Sequence, residues 1–169
     1  PYTEEDRARP VSVYGSSKLL GEWFAQDAPR WYVLRVESLF GGRQARSSVD
    51  KIAAALRDGR KTPVFADRIV TPSFVDDVRD ATLDLLARDT PSGLFHCVNR
   101  GQGTWADVGR HVAHLLGASE DLLTLTSVRD VKLRAQRPTY CALSNAKLEA
   151  AIGRPMPTWR DAIERYLRV

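Results

Sequence analysis

The sequence predicts an α/β fold built on parallel strands, with a smaller lobe beside the sheet. Two patterns point that way. Amphipathic helical stretches are followed directly by short apolar runs, as in the second half of a β–α–β unit. Those runs are rich in β-branched and aromatic residues and lack strict alternation, the mark of strands buried on both faces. The 169 residues are 43% hydrophobic and 27% charged, within the usual range for one soluble globular domain.

Pro1–Pro10 is charged, bounded by prolines, and reads as an exposed loop. A helix is expected from Ser12 to Ala28, with Val13, Leu19, Leu20, Trp23 and Phe24 on one stripe and Pro29 as its stop. Trp31–Val36 reads as a buried strand. The loop Glu37–Ser48 leaves the carboxyl end of that strand, where ligands of doubly wound sheets sit, so Glu37–Arg46 is a candidate pocket lining. Val49–Asp58 should be a helix ending at Gly59, and Thr62–Phe65 a short strand. Pro72 forces Thr71 into an extended conformation, and Ser73 is placed to cap a helix reaching Arg88. Its carboxylates Asp76, Asp80 and Asp84 read as a solvated acidic face.

Leu94–Val98 is a further strand, followed by Gly101-Gln102-Gly103-Thr104-Trp105-Ala106. This run reproduces the G-x-G-x-x-A dinucleotide fingerprint between strand and helix. It is rejected as one, because Thr104 and Asp107 form a capping box that uses the backbone N–H groups a pyrophosphate needs. Too little chain follows for the parallel strands such a unit requires. His111 and His114 lack a third strong donor for a metal, and no metal site is expected. Leu122–Val128 reads as the last strand, Arg129–Cys141 as irregular and basic, and Ser144–Ile152 and Thr158–Leu167 as closing helices.

The net charge is +4, with twenty Arg against five Lys. Guanidinium forks suit phosphate, so anionic substrates fit this balance. The charges are interspersed and no basic tract carries interleaved aromatics, which argues against nucleic acid. No apolar run approaches the ~18 residues of a membrane helix. Cys97 and Cys141 are expected to be reduced thiols in a cytoplasmic protein. No secretory signal is visible, and the first residue is Pro1 rather than Met, so the natural start is expected upstream.

The strongest chemical signal is Tyr14-Gly15-Ser16-Ser17-Lys18. Tyr14 and Lys18, four residues apart, share one helix face. An ammonium beside a phenol favours the phenolate and draws its pKa down from about 10. Such a Tyr can exchange a proton with a carbonyl or alcohol oxygen near neutral pH. The pair alone is equally at home on an ordinary helix, as a half-buried ring with a solvated amine. The small residues between them leave room for a flat ligand.

The longer run, Pro10 with Tyr14-Gly15-x-Ser17-Lys18 and Gly21-Glu22, resembles the active-site helix of the extended short-chain dehydrogenase/reductases. Further stretches match in order: Pro1–Glu5, Leu34-Arg35 with Phe40-Gly41, Val70–Ser73, Phe95–Asn99 with Thr104-Trp105, Arg137-Pro138 with Leu143-Ser144, and Pro157-x-Trp159. Together they resemble the carboxyl-terminal half of the dTDP-4-dehydrorhamnose reductase group. The resemblance implies the later part of a Rossmann-like parallel sheet plus a small substrate-binding lobe. Residues 1–60 and 75–98 would belong to the sheet and the remainder mostly to the lobe.

It also implies an NADP- or NAD-dependent reduction of a 4-keto nucleotide sugar. Tyr14 would donate the proton, and Lys18 would activate it and hold the nicotinamide ribose. Val36, Glu37 and Ser38 would border the cofactor; Phe40, Arg43, Thr71, Pro72 and Arg137 would border the substrate. Arg46 and Arg134 are further arginines considered for the diphosphate. The chain begins after the Gly-rich phosphate loop and after the Ser or Thr that completes the family's catalytic set. Ser38 stands where the reductases place a Trp. The expectation is therefore a carboxyl-terminal portion, inactive alone, completed by an amino-terminal half, a partner chain or a homodimer. A non-catalytic nucleotide-binding subunit, or a nucleotide-sugar epimerase or dehydratase, is the alternative.

Overall fold

The computed structural model describes residues 1–132 and 135–168. Helix α1, Val13–Ala25, starts where Ser12, in extended conformation, accepts a hydrogen bond from the Gly15 amide. It ends three residues before the expected Ala28 and is followed by strand β1, Tyr32–Arg35. β1 pairs in parallel with β6, Gly93–His96, setting Leu34 opposite Phe95 and Arg35 opposite His96. Helices α3 (Val75–Ala87) and α5 (Ala146–Ile152) supply the core of one face. There Ala81, Leu85, Phe95, Cys97, Leu148, Ile152 and Met156 are buried together, with Tyr32 and Leu34 against them.

A second core lies in the lobe. Helices α2 (Ser48–Arg57), α4 (Trp105–Leu116) and α6 (Trp159–Leu167) pack around strand β3, Thr62–Phe65, which pairs in parallel with β8, Leu123–Thr126. Val49, Ile52, Leu56, Val64, Val108, Val112, Trp159 and Ile163 are buried there. Capping boxes start both α2 (Ser47 with Asp50) and α4 (Thr104 with Asp107), each satisfying two otherwise orphan amides. Division by core thus differs from division by sequence: α2, although within residues 1–60, packs in the lobe, and α5 packs beside β6.

Four two-residue strands join the halves. β2 (Leu39–Phe40) pairs in parallel with β5 (Ser73–Phe74), and β4 (Ile69–Val70) pairs antiparallel with β7 (Gly103–Thr104). Gly41, at φ 92°, passes so close to Phe74 that a Cβ would lie 2.3 Å from its ring. Only glycine meets both conditions without rearrangement.

One expectation is corrected. Ser73 does not cap α3: it lies in β5, and its hydroxyl donates to the Thr71 carbonyl at 3.0 Å. The amide of the capping residue, Phe74, is instead satisfied by Asn99 Oδ1 at 2.7 Å. Pro1–Pro10 is the exposed loop expected, and it is tied down at two points. The Tyr2 amide donates to the Ala142 carbonyl, the Ser144 amide donates to the Tyr2 carbonyl, and the His96 amide donates to Glu4 Oε1. The opening segment is thereby stitched to the edge of β6 and to the segment before α5.

Candidate functional site

Tyr14 and Lys18 lie together on α1, the ammonium 5.3 Å from the centre of the phenol ring. Tyr14 is 69% exposed. None of the residues of α1 is buried. The helix is held to β1 by a two-pronged ion pair: Arg35 Nε and Nη2 donate to the two oxygens of Glu22 at 2.9 and 2.7 Å. The small Gly15, expected to admit a flat ligand, has its open side against the chain itself. A Cβ there would meet the Pro10 Cβ at 3.1 Å, so Pro10 and Gly15 fix how the approach segment enters the helix.

Beyond β1 the chain splays into Val36, Glu37 and Ser38. Val36 is exposed and open to a ligand. Glu37 turns inward, and both its oxygens are engaged: the Thr71 amide donates to one at 2.7 Å and the Ser38 hydroxyl to the other. Burial pushes the Glu37 carboxyl above the usual carboxylate range, against the opposing pull of the Ser38 and Thr71 hydrogen bonds and of Arg68. Ser38 adopts φ 45°, a left-handed conformation unusual for a residue other than glycine. This kink separates β1 from β2 and turns the Ser38 side chain to a cavity.

Three expected substrate contacts are interior residues. Phe40 is 1% exposed and stacks on Phe74 with 5.4 Å between ring centres. Thr71 is fully buried, its hydroxyl accepting from the Leu143 amide, and Pro72 is buried beside it. The β2–β5 pair carries Phe40 into the lobe core, and Thr71 and Pro72 lie buried directly ahead of β5. Arg43 lies exposed on the loop before α2, while Arg46 borders a shallow depression with Leu39 and Gly42. Arg134 lies outside the described residues.

Two cavities flank the carboxyl end of β1. The larger, about 680 Å³, is bordered by Tyr2, Arg7, Val11, Arg35, His96 and Tyr140 among others. Val11 lies one residue before the α1 cap, so this cavity opens beside the amino end of the Tyr14–Lys18 helix. His96 is fully buried in its wall. Its Nδ1 meets the Ser144 carbonyl at 3.2 Å, and burial first, then Arg35, pushes the imidazole pKa down while Glu4 opposes them. The smaller cavity, about 250 Å³, brings Ser38 and Arg137 together with Arg68, Ser48, Phe65 and Trp105.

Sequence reasoning missed Glu22 as the tie of the Tyr14–Lys18 helix, His96 as a cavity wall, and Arg68 as Arg137's companion. Only Arg68 left a signal: a basic residue directly ahead of the extended Ile69–Pro72 run, where the chain must pass the lobe's edge.

Tyr14, Lys18 and the exposed Val36 beyond β1 are residues that could hold the nicotinamide–ribose half of a dinucleotide, and among the described residues no glycine-rich turn from a parallel strand into a helix offers a cradle for its diphosphate. The Gly101–Gly103 run does not supply that cradle. Its glycines pack on Trp159, where added Cβ atoms would meet the indole at 3.4 and 3.2 Å, and Gly103 belongs to the antiparallel pair with β4. Among the described residues no group of three His, Cys, Asp or Glu side chains could hold a metal, and no helix is long and apolar enough to cross a membrane. Both cysteines are free, and burial pushes the Cys97 thiol up to about 11.

Parallel strand pairs with helices packed on them define a mixed α/β fold of the Rossmann-like kind. Residues 1–169 match the family described as the RmlD substrate binding domain, and the chain belongs to that family. It is 31% identical over 95% of its length to the probable low-salt glycan biosynthesis reductase Agl14 of Haloferax volcanii, covering 55% of that protein. It is 29% identical over 99% of its length to the dTDP-4-dehydrorhamnose reductase of Sinorhizobium fredii, covering 60% of it. A crystal structure of a dTDP-4-dehydrorhamnose reductase from Clostridium acetobutylicum superposes with a TM-score of 0.89 at 27% identity, over 99% of this chain and 59% of that one. The same reductase from Bacillus anthracis, crystallised in complex with NADP, shares the fold with a TM-score of 0.90 at 23% identity. The chain thus spans a little over half the length of the curated relatives it matches.

Proposed function

We propose that this chain is the substrate-facing part of an NAD(P)H-dependent reductase of a keto sugar linked to a nucleoside diphosphate. The observation that carries the reading is the presentation of Tyr14 and Lys18. They stand side by side on the exposed face of α1, the helix whose approach residue Val11 borders the cavity beside Arg35 of β1. The names of the relatives, nucleotide-sugar reductases in several organisms, support it.

In this reading the nicotinamide cofactor, when bound, supplies hydride to the carbonyl carbon. The electron pair of the C=O π bond moves onto oxygen, and Tyr14 donates its hydroxyl proton there, leaving a phenolate that solvent reprotonates. Lys18 stabilises that phenolate electrostatically and holds the ribose. The Glu22–Arg35 pair fixes the helix so that the phenol meets the carbonyl in line. Glu37 and Ser38 act indirectly, holding the loop that separates the two cavities.

The test is turnover by the complete natural polypeptide carrying these residues, followed as NADPH oxidation with a 4-keto nucleotide sugar. Tyr14→Phe should lower kcat by about 10²-fold or more, the usual worth of a positioned proton donor. Lys18→Met should lower kcat and raise the KM for NADPH. A Tyr14→Phe enzyme turning over at the wild-type rate would refute the assignment and favour a non-catalytic binding role.

A further inference from the structure

The β3–β8 sheet has two outer edges, and the sequence guards one of them. In a parallel pair, residues that bond the neighbouring strand alternate with residues whose amide and carbonyl point away from it. The Ala66 amide donates to the Thr126 carbonyl at 2.9 Å, and the Thr126 hydroxyl donates to the Val64 carbonyl. With Phe65 opposite Thr126 in the register, Thr62, Val64 and Ala66 face β8, and Thr124 and Thr126 face β3. On β3 an outward position is held by Pro63, which has no amide to offer, and the exposed Arg60 and Lys61 stand just before the strand. Proline and charge are the usual protection of a strand edge. On β8 the outward position is Leu125.

That edge is unprotected. The strand reads Leu-Thr-Leu-Thr, with neither charge nor proline, and the Leu125 side chain is 53% exposed. The Leu123 amide is taken by the Glu120 carbonyl, whereas the Leu125 amide has no partner among the described residues. The edge is nonetheless held at both ends. Asp67 accepts from the Ser127 hydroxyl and the Val128 amide at 2.5 and 2.9 Å where the chain leaves β8, and Ser119 caps the short turn before it. A fixed strand edge with open backbone groups selects an extended strand as its partner. The flanks define which strand. Asp121 precedes β8 and Arg129 follows it; both are exposed, and neither is in an ion pair among the described residues, although Arg129 feels the charge of Asp67.

We infer that the outer edge of β8 is a self-association surface, on which a second copy of this chain lays its own β8 antiparallel, with Asp121 and Arg129 setting the direction. Around a two-fold axis with Leu125 opposite Leu125, each copy donates its Leu125 amide to the other's Leu125 carbonyl, and the two exposed leucines cover one another on the same face. Asp121 and Arg129 lie four positions to either side of Leu125, so each Asp121 end meets the other copy's Arg129 end. Parallel pairing would set like charge against like. The surface uses none of the residues assigned above to cofactor or substrate. A four-residue edge is small, so the association is weak and reversible.

The test is sedimentation velocity, over a concentration series, on the complete natural polypeptide carrying these residues. Wild type should show a reversible association step with a Kd on the order of 10 µM, as small interfaces give. Leu125→Lys, at a half-exposed position, should weaken that step about tenfold or more, because it sets two ammonium groups opposite each other. Asp121→Arg alone and Arg129→Asp alone should each do the same, by placing like charges together. An equimolar mixture of these two variants should associate again, since every Arg at position 121 or 129 of one variant then meets an Asp of the other. That rescue depends on antiparallel pairing between copies and cannot come from a folding defect in either variant. Wild type that shows no such step up to about 1 mM overturns the inference. So does association that ignores Leu125→Lys and both charge reversals, and so does a mixture that behaves as the sum of its parts. Association through the exposed stripe of α1 would give the second of these outcomes and would respond to Trp23→Ser instead.

Discussion

Helices α4 and α1 are nearly equal in length, twelve and thirteen residues, and both carry tryptophan, yet they live in opposite surroundings. α4 buries Trp105, Ala106, Val108, Gly109, Val112 and Ala113 between α2, α6 and β3. α1 buries nothing, leaving Trp23 59% and Phe24 67% exposed. Helix stability in proteins comes chiefly from packing of an apolar face, so the two cannot be equally secure. The lobe is closed on itself, its amides capped and its aromatic residues enclosed. The helix proposed to carry the chemistry leans on β1 through one ion pair and shows an apolar stripe of the kind that marks a contact surface. Packing and exposure are separated: the lobe encloses its aromatic core, and α1 presents the Tyr14 phenol to solvent.

Breaking the closed side should have the largest effect. Trp159 is fully buried and central to the lobe core, so Trp159→Ala should cost about 3–5 kcal/mol in urea denaturation. A loss below ~1 kcal/mol would show that the lobe core is not the chain's main support. On the open side, Glu22→Gln should cost about 1–2 kcal/mol, because it leaves the half-buried Arg35 without its charged acceptor. The loss should concentrate in α1, seen as faster proteolysis within Val13–Ala25 while the lobe stays intact.

The joint between the regions gives a pH signature. The folded-state pKa of Glu37 is raised, so the folded protein holds this proton more tightly than the unfolded chain. Its contribution to stability is full below the unfolded value near 4.5 and is lost as pH rises through the folded value. Glu37→Gln should therefore flatten the fall in melting temperature above pH 4.5, and an unchanged slope would place the ionisation elsewhere. The smallest effect on stability belongs to Trp23→Ser, expected within about 0.5 kcal/mol, since the ring packs on little. The same change should sharply reduce binding of an apolar dye such as ANS.

What the sequence made legible follows from the range of the forces involved. The long helices and the strands at Tyr32–Arg35, Thr62–Phe65 and Gly93–His96 announce themselves by periodicity and apolar runs. The capping box of Thr104 and Asp107, which ruled out the dinucleotide fingerprint, is local and was readable three residues apart. The pairs β2–β5 and β4–β7 were not readable, because two-residue strands have no periodicity and exist only through partners more than thirty positions away. Ser73 failed as a cap for the same reason: Asn99 arrives from another element to satisfy the helix start. In the site, Tyr14 and Lys18 were visible because four residues fix a helical neighbour. The burial of Phe40, Thr71 and Pro72 and the meeting of Arg68 with Arg137 depend on how the chain crosses itself, which no local pattern encodes.

The separation of a closed lobe from a lightly held, exposed helix is tested most directly by native-state hydrogen exchange, read residue by residue. Amides of α4 and α6 should exchange only through global unfolding. Those of α1 should exchange through local opening at a free energy several kcal/mol lower, and lower still in Glu22→Gln. Protection of α1 equal to that of α4, unmoved by Glu22→Gln, would contradict the account.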